Sequence, residues 1–278
     1  MLLISSVKQT FEAVKILPRK CVYCNNVNLR VNYSMIFHHF GKYVLLLRKV
    51  FKKPEKWKIY SKEIFHEMNE IGIGSLGLIV IISTFIGAVM TLQIAFQLVS
   101  DLIPPTVIGQ INRDSNILEL GPTISALVLM GKVGSAISSQ IGSMRVTEQI
   151  DALEIMGINA PGYLILPKVV AGAVMVPALV IIAIFCAITG GLIGGTLSGA
   201  VAPSDYIQGI QGGFNGFTVT VALVKAFFFG FIITSVPAYM GFYVRGGALE
   251  VGQAGTKAVV IGCISILVSD YIITALML

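Results

Sequence analysis

The sequence predicts an all-α integral membrane protein, and three observations support this fold class. Only 12% of the 278 residues are charged, whereas a soluble domain carries about 25%. Several apolar stretches are longer than the roughly 20 residues that a helix needs to cross a bilayer. The 29 glycines suit membrane helices whose backbones lie close together. The low charge excludes an ordinary soluble enzyme.

The charges are unevenly distributed along the chain. Residues 1–70 contain 13 of the 20 Lys and Arg residues but only 5 of the 14 Asp and Glu residues. A basic arm before an apolar body fits the anionic cytoplasmic leaflet of a membrane. No nucleic-acid-binding motif accompanies these charges, so we expect no nucleic acid partner.

The first 35 residues are predicted to form a weakly patterned extension. This extension, 1–35, contains a C-x-x-C pair, Cys21 and Cys24. No second Cys or His pair follows at the spacing of a zinc site. We therefore predict no metal site and no cofactor.

Residues 36–70 are predicted to form interfacial amphipathic helices. Apolar residues recur at helical spacing over 36–53 with lysines opposite them, and Pro54 ends this helix. A second apolar stripe lies in 55–70. Helices of this kind lie in the membrane interface, although a soluble helix packed on a partner fits the same pattern.

Residues 71–278 are predicted to form one membrane domain with five transmembrane helices. The first and third apolar segments are longer than the bilayer requires, and Pro177 predicts a kink in the third. The five predicted segments are 71–100, 117–142, 166–201, 217–243 and 257–278.

Basic residues also predict the orientation of these helices. With the N-terminus in the cytoplasm, the loops that contain Arg145 and Arg245 are cytoplasmic, and the outer loops contain one basic residue, Arg113. This asymmetry agrees with the positive-inside rule. Five crossings then place the C-terminus in the periplasm.

The loop after the second segment predicts a short cytoplasmic helix with an acidic face. Its start is expected at Thr147 as the N-cap, with Glu148 and Asp151 in the first turn, and its end at Gly157. Two interpretations remain open, an ordinary surface helix and a coupling helix that seats in a cytosolic motor. The candidate coupling residues are Thr147, Glu148, Gln149, Asp151 and Glu154.

Charged residues within the apolar segments form the second candidate site. Lys225 and Asp270 each lie about 12 Å along a helix from its outer end, and Glu119 enters near the outer end of the second segment. An isolated charge there costs at least roughly 2.5–3.5 kcal/mol, so we predict a Lys225–Asp270 pair that Glu119 joins. The pair is either a structural lock or part of a lipid pathway.

Small and amide side chains mark two further faces. Gln93 and Gln97 lie four residues apart in the first segment, where they either line a lipid cavity at a dimer interface or bond to neighbouring helices. In the third segment, glycines at small-xxx-small spacing predict a close helix contact. These glycines are Gly190, Gly191, Gly194, Gly195 and Gly199.

The sequence contains no ATPase motif and no catalytic arrangement. Gly131 and Lys132 are followed by Val133 rather than Ser or Thr, and Ala126 stands where a P-loop needs glycine. All three histidines precede the first apolar segment. We therefore predict no catalytic residues, and any ATP hydrolysis must come from another polypeptide.

Two runs carry a resemblance to a known family. The run ELGPTISALVLMGKVGSAISSQIGSMRVTEQIDALEIMGINAPGYLILPKVVAG, residues 119–172, and the closing SDYIITALML, residues 269–278, resemble the MlaE-type permeases. The similarity covers about 36–278. It implies a homodimeric permease of a bacterial inner membrane, with five membrane helices and an N-terminal interfacial helix.

The resemblance also implies partners and a function. Two ATPase subunits and a periplasmic ring of MCE-domain proteins are expected to assemble with two permeases and to move phospholipid, or another lipid, between the inner membrane and the periplasmic side. The segment matching Thr147–Gly157 would be the coupling helix that faces the ATPase. An ATP-independent secondary transporter or channel is the alternative, and a membrane scaffold is a third.

Two positions depart from the family pattern. Lys132 stands where the family often has Arg, and Gln140 where it often has Glu. Lys lacks the bidentate fork of Arg, and Gln removes a charge. An ion pair between these two positions is therefore not expected in this chain.

Overall fold

The computed structural model of the chain describes residues 38–51, 57–98 and 104–277, and the chain divides into two units, with the boundary after Leu45. The described part of the first unit is helical, and residues 38–50 form α1. The predicted extension 1–35, with its C-x-x-C pair, and Pro54 lie outside the described residues, as do the ends of the predicted helix 36–53.

Ten further helices follow in the second unit among the described residues, and none of these residues forms a strand. Their bounds are α2 Trp57–Met68, α3 Gly74–Gln97, α4 Thr106–Ser115, α5 Gly121–Leu129, α6 Ser135–Val146, α7 Gln149–Ile155, α8 Ala160–Leu197, α9 Pro203–Gln211, α10 Gly216–Phe242 and α11 Ala248–Met277. The all-α membrane fold class is confirmed.

Within the part of the chain that the structure describes, five helical runs are long and apolar enough to cross a membrane, as the sequence predicts. We number them spans 1 to 5: Tyr60–Gln97, Thr106–Val146, Ala160–Leu197, Gly216–Phe242 and Ala248–Met277. Four of the five begin six or more residues earlier than predicted. For spans 1, 2 and 5 the difference arises because polar and charged side chains in the first turns lower the local mean hydropathy. Span 3 begins instead with Ala160, Pro161 and Gly162, and proline and glycine are poor helix formers.

Three π-helical turns make the first two spans continuous. The turn Asn69–Ile73 joins α2 to α3, Asn116–Leu120 joins α4 to α5, and Met130–Gly134 joins α5 to α6. The predicted interfacial segment 55–70 is therefore, from residue 57, the beginning of the helical run that forms span 1, and α2 packs against α8. π-Turns of this kind occur frequently at functional sites.

Span 3 packs along span 1 with the two backbones in direct contact. A Cβ atom at Gly190 would collide with the carbonyl of Thr84, and one at Gly87 would collide with the carbonyl of Ala187. This is the close helix contact that the small-xxx-small spacing predicts. The long α8 continues through Pro177.

At the end of the bundle where α9 lies, a buried arginine binds backbone carbonyls at the end of α9. Arg113 donates to the carbonyls of Ile210 and Gly212, each at 2.7 Å. Asn112 donates to the hydroxyl of Tyr206 at 2.5 Å, and burial raises the pKa of Tyr206. These bonds fix α9 against α4. We call this the α9 end and the opposite end, which carries α7, the α7 end.

We expect Gly87→Ala to lower the thermal unfolding midpoint of the purified protein. The free energy of unfolding should fall by roughly 1–3 kcal/mol, because the new methyl group overpacks the contact with α8. Gly77 lies on the same helix, and a Cβ atom added there would meet no atom within 4 Å. Gly77→Ala is therefore the matched control and should leave the midpoint unchanged or raise it. Equal midpoints for the two variants would contradict the close contact.

Candidate functional site

Lys225 lies in the middle of α10 and its side chain is completely buried. Its Nζ is 2.9 Å from Glu119 Oε1 and 2.8 Å from Asp270 Oδ1. It also donates to the carbonyl of Leu118 at 2.9 Å. Leu118 and Glu119 belong to the π-turn in span 2, so one ammonium group joins spans 2, 4 and 5.

Two threonines complete this group, which we call the Lys225 cluster: Lys225, Glu119, Asp270, Thr123 and Thr274. Thr123 Oγ1 donates to Asp270 Oδ2 at 3.2 Å. Thr274 Oγ1 donates to the backbone carbonyl of Asp270 at 2.8 Å and lies 3.5 Å from Glu119 Oε1. The cluster is a connected polar network inside an apolar bundle.

The cluster is open on one side. The side chain of Glu119 is 46% exposed, whereas that of Asp270 is 15% exposed. One ammonium group faces two carboxylates, and the more accessible carboxylate lies at the rim. The arrangement can therefore exchange a carboxylate contact of Lys225 for an anionic group that enters from the Glu119 side.

The structure does not bring the two glutamines of span 1 into this network. Gln93 and Gln97 are exposed on α3, and within the described ranges neither side chain hydrogen-bonds to another helix. Their exposure is compatible with a surface that another copy or a lipid covers. Their assignment to a lipid pathway stays a prediction.

A second buried ion pair lies nearer the α7 end, and sequence reasoning missed it. Lys168 of α8 pairs with Glu67 of α2, and both side chains are buried. Lys168 Nζ also donates to Gln140 Oε1 at 2.7 Å. Gln140 therefore serves as an uncharged acceptor for Lys168. The missed signal is the cost of an unpaired intramembrane charge, which applies to Lys168 as it does to Lys225.

The short helix between spans 2 and 3 begins later than predicted. Thr147 is not its N-cap: its hydroxyl donates back to the carbonyl of Ser143 at 2.9 Å and so caps the end of α6. The capping position is Glu148, which has a left-handed backbone with φ of 60° and no side-chain capping bond. The helix begins later than predicted because left-handed Glu148 makes a sharp turn between α6 and α7.

The end of α7 agrees with the predicted stop at Gly157. Gly157 N donates to Glu154 O at 3.0 Å and Ile158 N to Leu153 O at 3.1 Å, which is the bonding pattern of a Schellman motif. The φ of 78° at Gly157 is one that favours glycine.

The surface of α7 combines acidic and apolar groups. Ile150 is buried, and Asp151 is held by Arg145 at 2.5 Å. Four of the candidate coupling residues are exposed: Thr147 just before α7, and Glu148, Gln149 and Glu154 beside Ile155 and Met156. Ile155 is 87% exposed. A partner that docks here would meet an apolar tip with carboxylates around it.

The chain is similar to several known proteins that are named as permeases. Residues 64–276 match the family described as Permease MlaE. The chain is 32% identical over 248 residues to a probable ABC transporter permease protein of Synechocystis sp., covering 89% of this chain and 94% of that one. It is 37% identical over 218 residues to a probable ABC transporter permease protein of Rickettsia bellii, covering 78% and 84%.

A further relative is named for its substrate. The chain is 31% identical over 234 residues to the intermembrane phospholipid transport system permease protein MlaE of Haemophilus influenzae, which covers 84% of this chain and 89% of the relative. Each of these alignments spans most of both proteins.

We expect Lys225→Met to destabilise the folded protein by about 3–5 kcal/mol, because it leaves two carboxylates without their cation. Asp270→Leu should cost less, since Glu119 still neutralises Lys225. Thermal unfolding of purified variants measures both effects.

The double variant Lys225→Met/Asp270→Leu should recover part of the loss, because the remaining carboxylate of Glu119 reaches the surface. Strictly additive losses in this double-mutant cycle would show that the two residues are not energetically coupled.

Proposed function

Because this chain belongs to the MlaE permease family, we propose that it is the membrane subunit of an ATP-driven transporter that moves phospholipid between the inner membrane and the periplasmic side. The observation that carries the proposal is the Lys225 cluster. A buried cation that joins three spans and opens at Glu119 is suited to a phosphate-bearing headgroup, since an intramembrane charge typically marks a substrate pathway.

The proposed orientation places the α7 end in the cytoplasm and the α9 end in the periplasm, with the C-terminus periplasmic. The concentration of basic residues in 1–70 supports it. The α9 end then faces an MCE-domain lipid-binding protein, and α7 faces an ATPase subunit. We further propose that two copies of the chain assemble with two ATPase subunits, as the family resemblance implies.

The proposed mechanism is mechanical. Closure of the ATPase subunits pushes on α7, which lies between α6 and α8. Because α6 belongs to the continuous span 2, a displacement at α7 reaches the π-turn that carries Glu119. Movement of Glu119 away from Lys225 opens one contact of the ammonium group to a lipid phosphate while Asp270 keeps its own, and the return of Glu119 expels the headgroup.

Reconstitution of the chain with its ATPase in vesicles tests this function. Glu119→Gln keeps the shape of the side chain but removes its charge. We expect the variant to fold and to lose ATP-dependent transfer of labelled phospholipid to an acceptor by at least about tenfold. Transfer by the unaltered protein that proceeds at the same rate without ATP would instead favour the alternative of an ATP-independent transporter or channel.

Docking of the ATPase on α7 has its own test. Ile155→Asp should weaken co-purification of the ATPase by about tenfold or more, because it places a charge in the apolar centre of the contact. Leu249 is a comparably exposed apolar residue at the same end of the bundle, so Leu249→Asp is the matched control. If both variants retain the ATPase equally, α7 is not the principal contact.

A further inference from the structure

A cleft with a volume of about 490 Å³ opens in the half of the bundle nearer the α7 end. Its walls come from spans 1, 2 and 3, and the residues that matter here are Glu67, Glu70, Ile73, Lys132, Gln140 and Lys168. Lys132 follows Glu119 in span 2 by 13 residues, which is about 20 Å along a helix. The cleft is therefore separate from the Lys225 cluster.

One wall of the cleft has its charges satisfied within the chain. Lys168 is buried and is occupied by Glu67 and by the amide oxygen of Gln140. It therefore has little attraction left for a ligand. This fixed wall holds spans 1, 2 and 3 at the spacing that keeps the cleft open.

Lys132 is different, because its charge is not neutralised within the described part of the chain. Its Nζ donates to the carbonyl of Gly74, and among residues 38–51, 57–98 and 104–277 no carboxylate lies within ion-pairing distance of it. An ammonium group at this depth in an apolar surrounding favours an anion. It has further N–H groups available to bind one.

Glu70 supplies the complementary charge in the same cleft. Its only ion-pair contact among the described residues is with His66 at 3.7 Å, and both side chains are more than half exposed. Two of the three π-turns contribute these charges, since Glu70 belongs to Asn69–Ile73 and Lys132 to Met130–Gly134. The cleft thus presents one available cation and one available carboxylate.

We propose that this cleft binds the headgroup of an amine-bearing zwitterionic phospholipid, with the phosphodiester on Lys132 and the amine near Glu70. The volume lies within the range of about 300–1,000 Å³ that small ligands occupy. Ile73, an exposed apolar residue that lines the cleft, continues the site toward the acyl chains. The binding site is distinct from the Lys225 cluster and needs neither ATP nor a partner subunit.

Photo-crosslinking of the full-length chain in vesicles tests the site. A photoreactive phenylalanine analogue replaces Ile73, and the vesicles contain equal parts of phosphatidylethanolamine and phosphatidylglycerol. Phe85, on the same helix, is 70% exposed and Ile73 is 69% exposed, and Phe85 does not line the cleft. Position 85 is therefore the matched control for contact with bulk lipid.

We expect phosphatidylethanolamine to be enriched about threefold among lipids captured at position 73 relative to position 85. Glu70→Gln should abolish this enrichment, because it removes the partner of the amine. Lys132→Gln should reduce total capture at position 73 but not at position 85, while Lys132→Arg should retain it. Unchanged capture at position 85 shows that each variant still inserts and folds.

Three results would overturn the proposal. These are equal lipid composition at the two positions, capture at position 73 that does not respond to Lys132→Gln, and crosslinking of position 73 to a second copy of the chain in place of lipid. Because the assay contains no ATPase and measures no transport, its failure leaves the function proposed for the Lys225 cluster standing, and the converse also holds.

Discussion

Two buried lysines connect all five spans, and the arrangement of the bundle depends on their neutralisation. Lys168 joins spans 1, 2 and 3 through Glu67 and Gln140, and Lys225 joins spans 2, 4 and 5 through Glu119 and Asp270. Removing one partner of a buried ion pair is strongly unfavourable. The relative positions of the spans are therefore fixed at two levels, and span 2 contributes to both.

The number and type of the spans follow from the sequence because hydrophobic length is a property of a local window. The continuity of the helices does not follow in the same way. A π-turn such as Asn116–Leu120 differs from an α-helix by one backbone hydrogen-bond register, and its residues have no distinctive composition. The sequence predicts an interfacial position for 55–70 because it shows the apolar stripe of this segment, whereas it does not show the burial of Glu67.

The candidate sites are predictable to the extent that charge and depth determine them. Lys225 and Asp270 lie at equal depth in the membrane on two spans, so the sequence alone suggests that they meet. The structure places Glu119 beside Lys225 as well. Lys168 stands near the start of a predicted segment and resembles a flanking charge, so the sequence alone suggests no partner for it. The predicted start of α7 is wrong because a left-handed Glu148 has no sequence signal, since that conformation usually belongs to glycine or asparagine.

The π-turn Met130–Gly134 has a consequence for how this chain tolerates change in length. A π-turn accommodates one residue more than an α-helical turn, so a deletion there converts it into regular helix without breaking the span. In a regular α-helix, a one-residue deletion rotates everything beyond it by about 100°. Here the turn already absorbs the extra residue, so the helix on either side keeps nearly the same rotation. Gln140 would then stay beside Lys168 and Glu119 beside Lys225. Span 2 can thus lose one residue in this turn and still present both of its halves to the same neighbours.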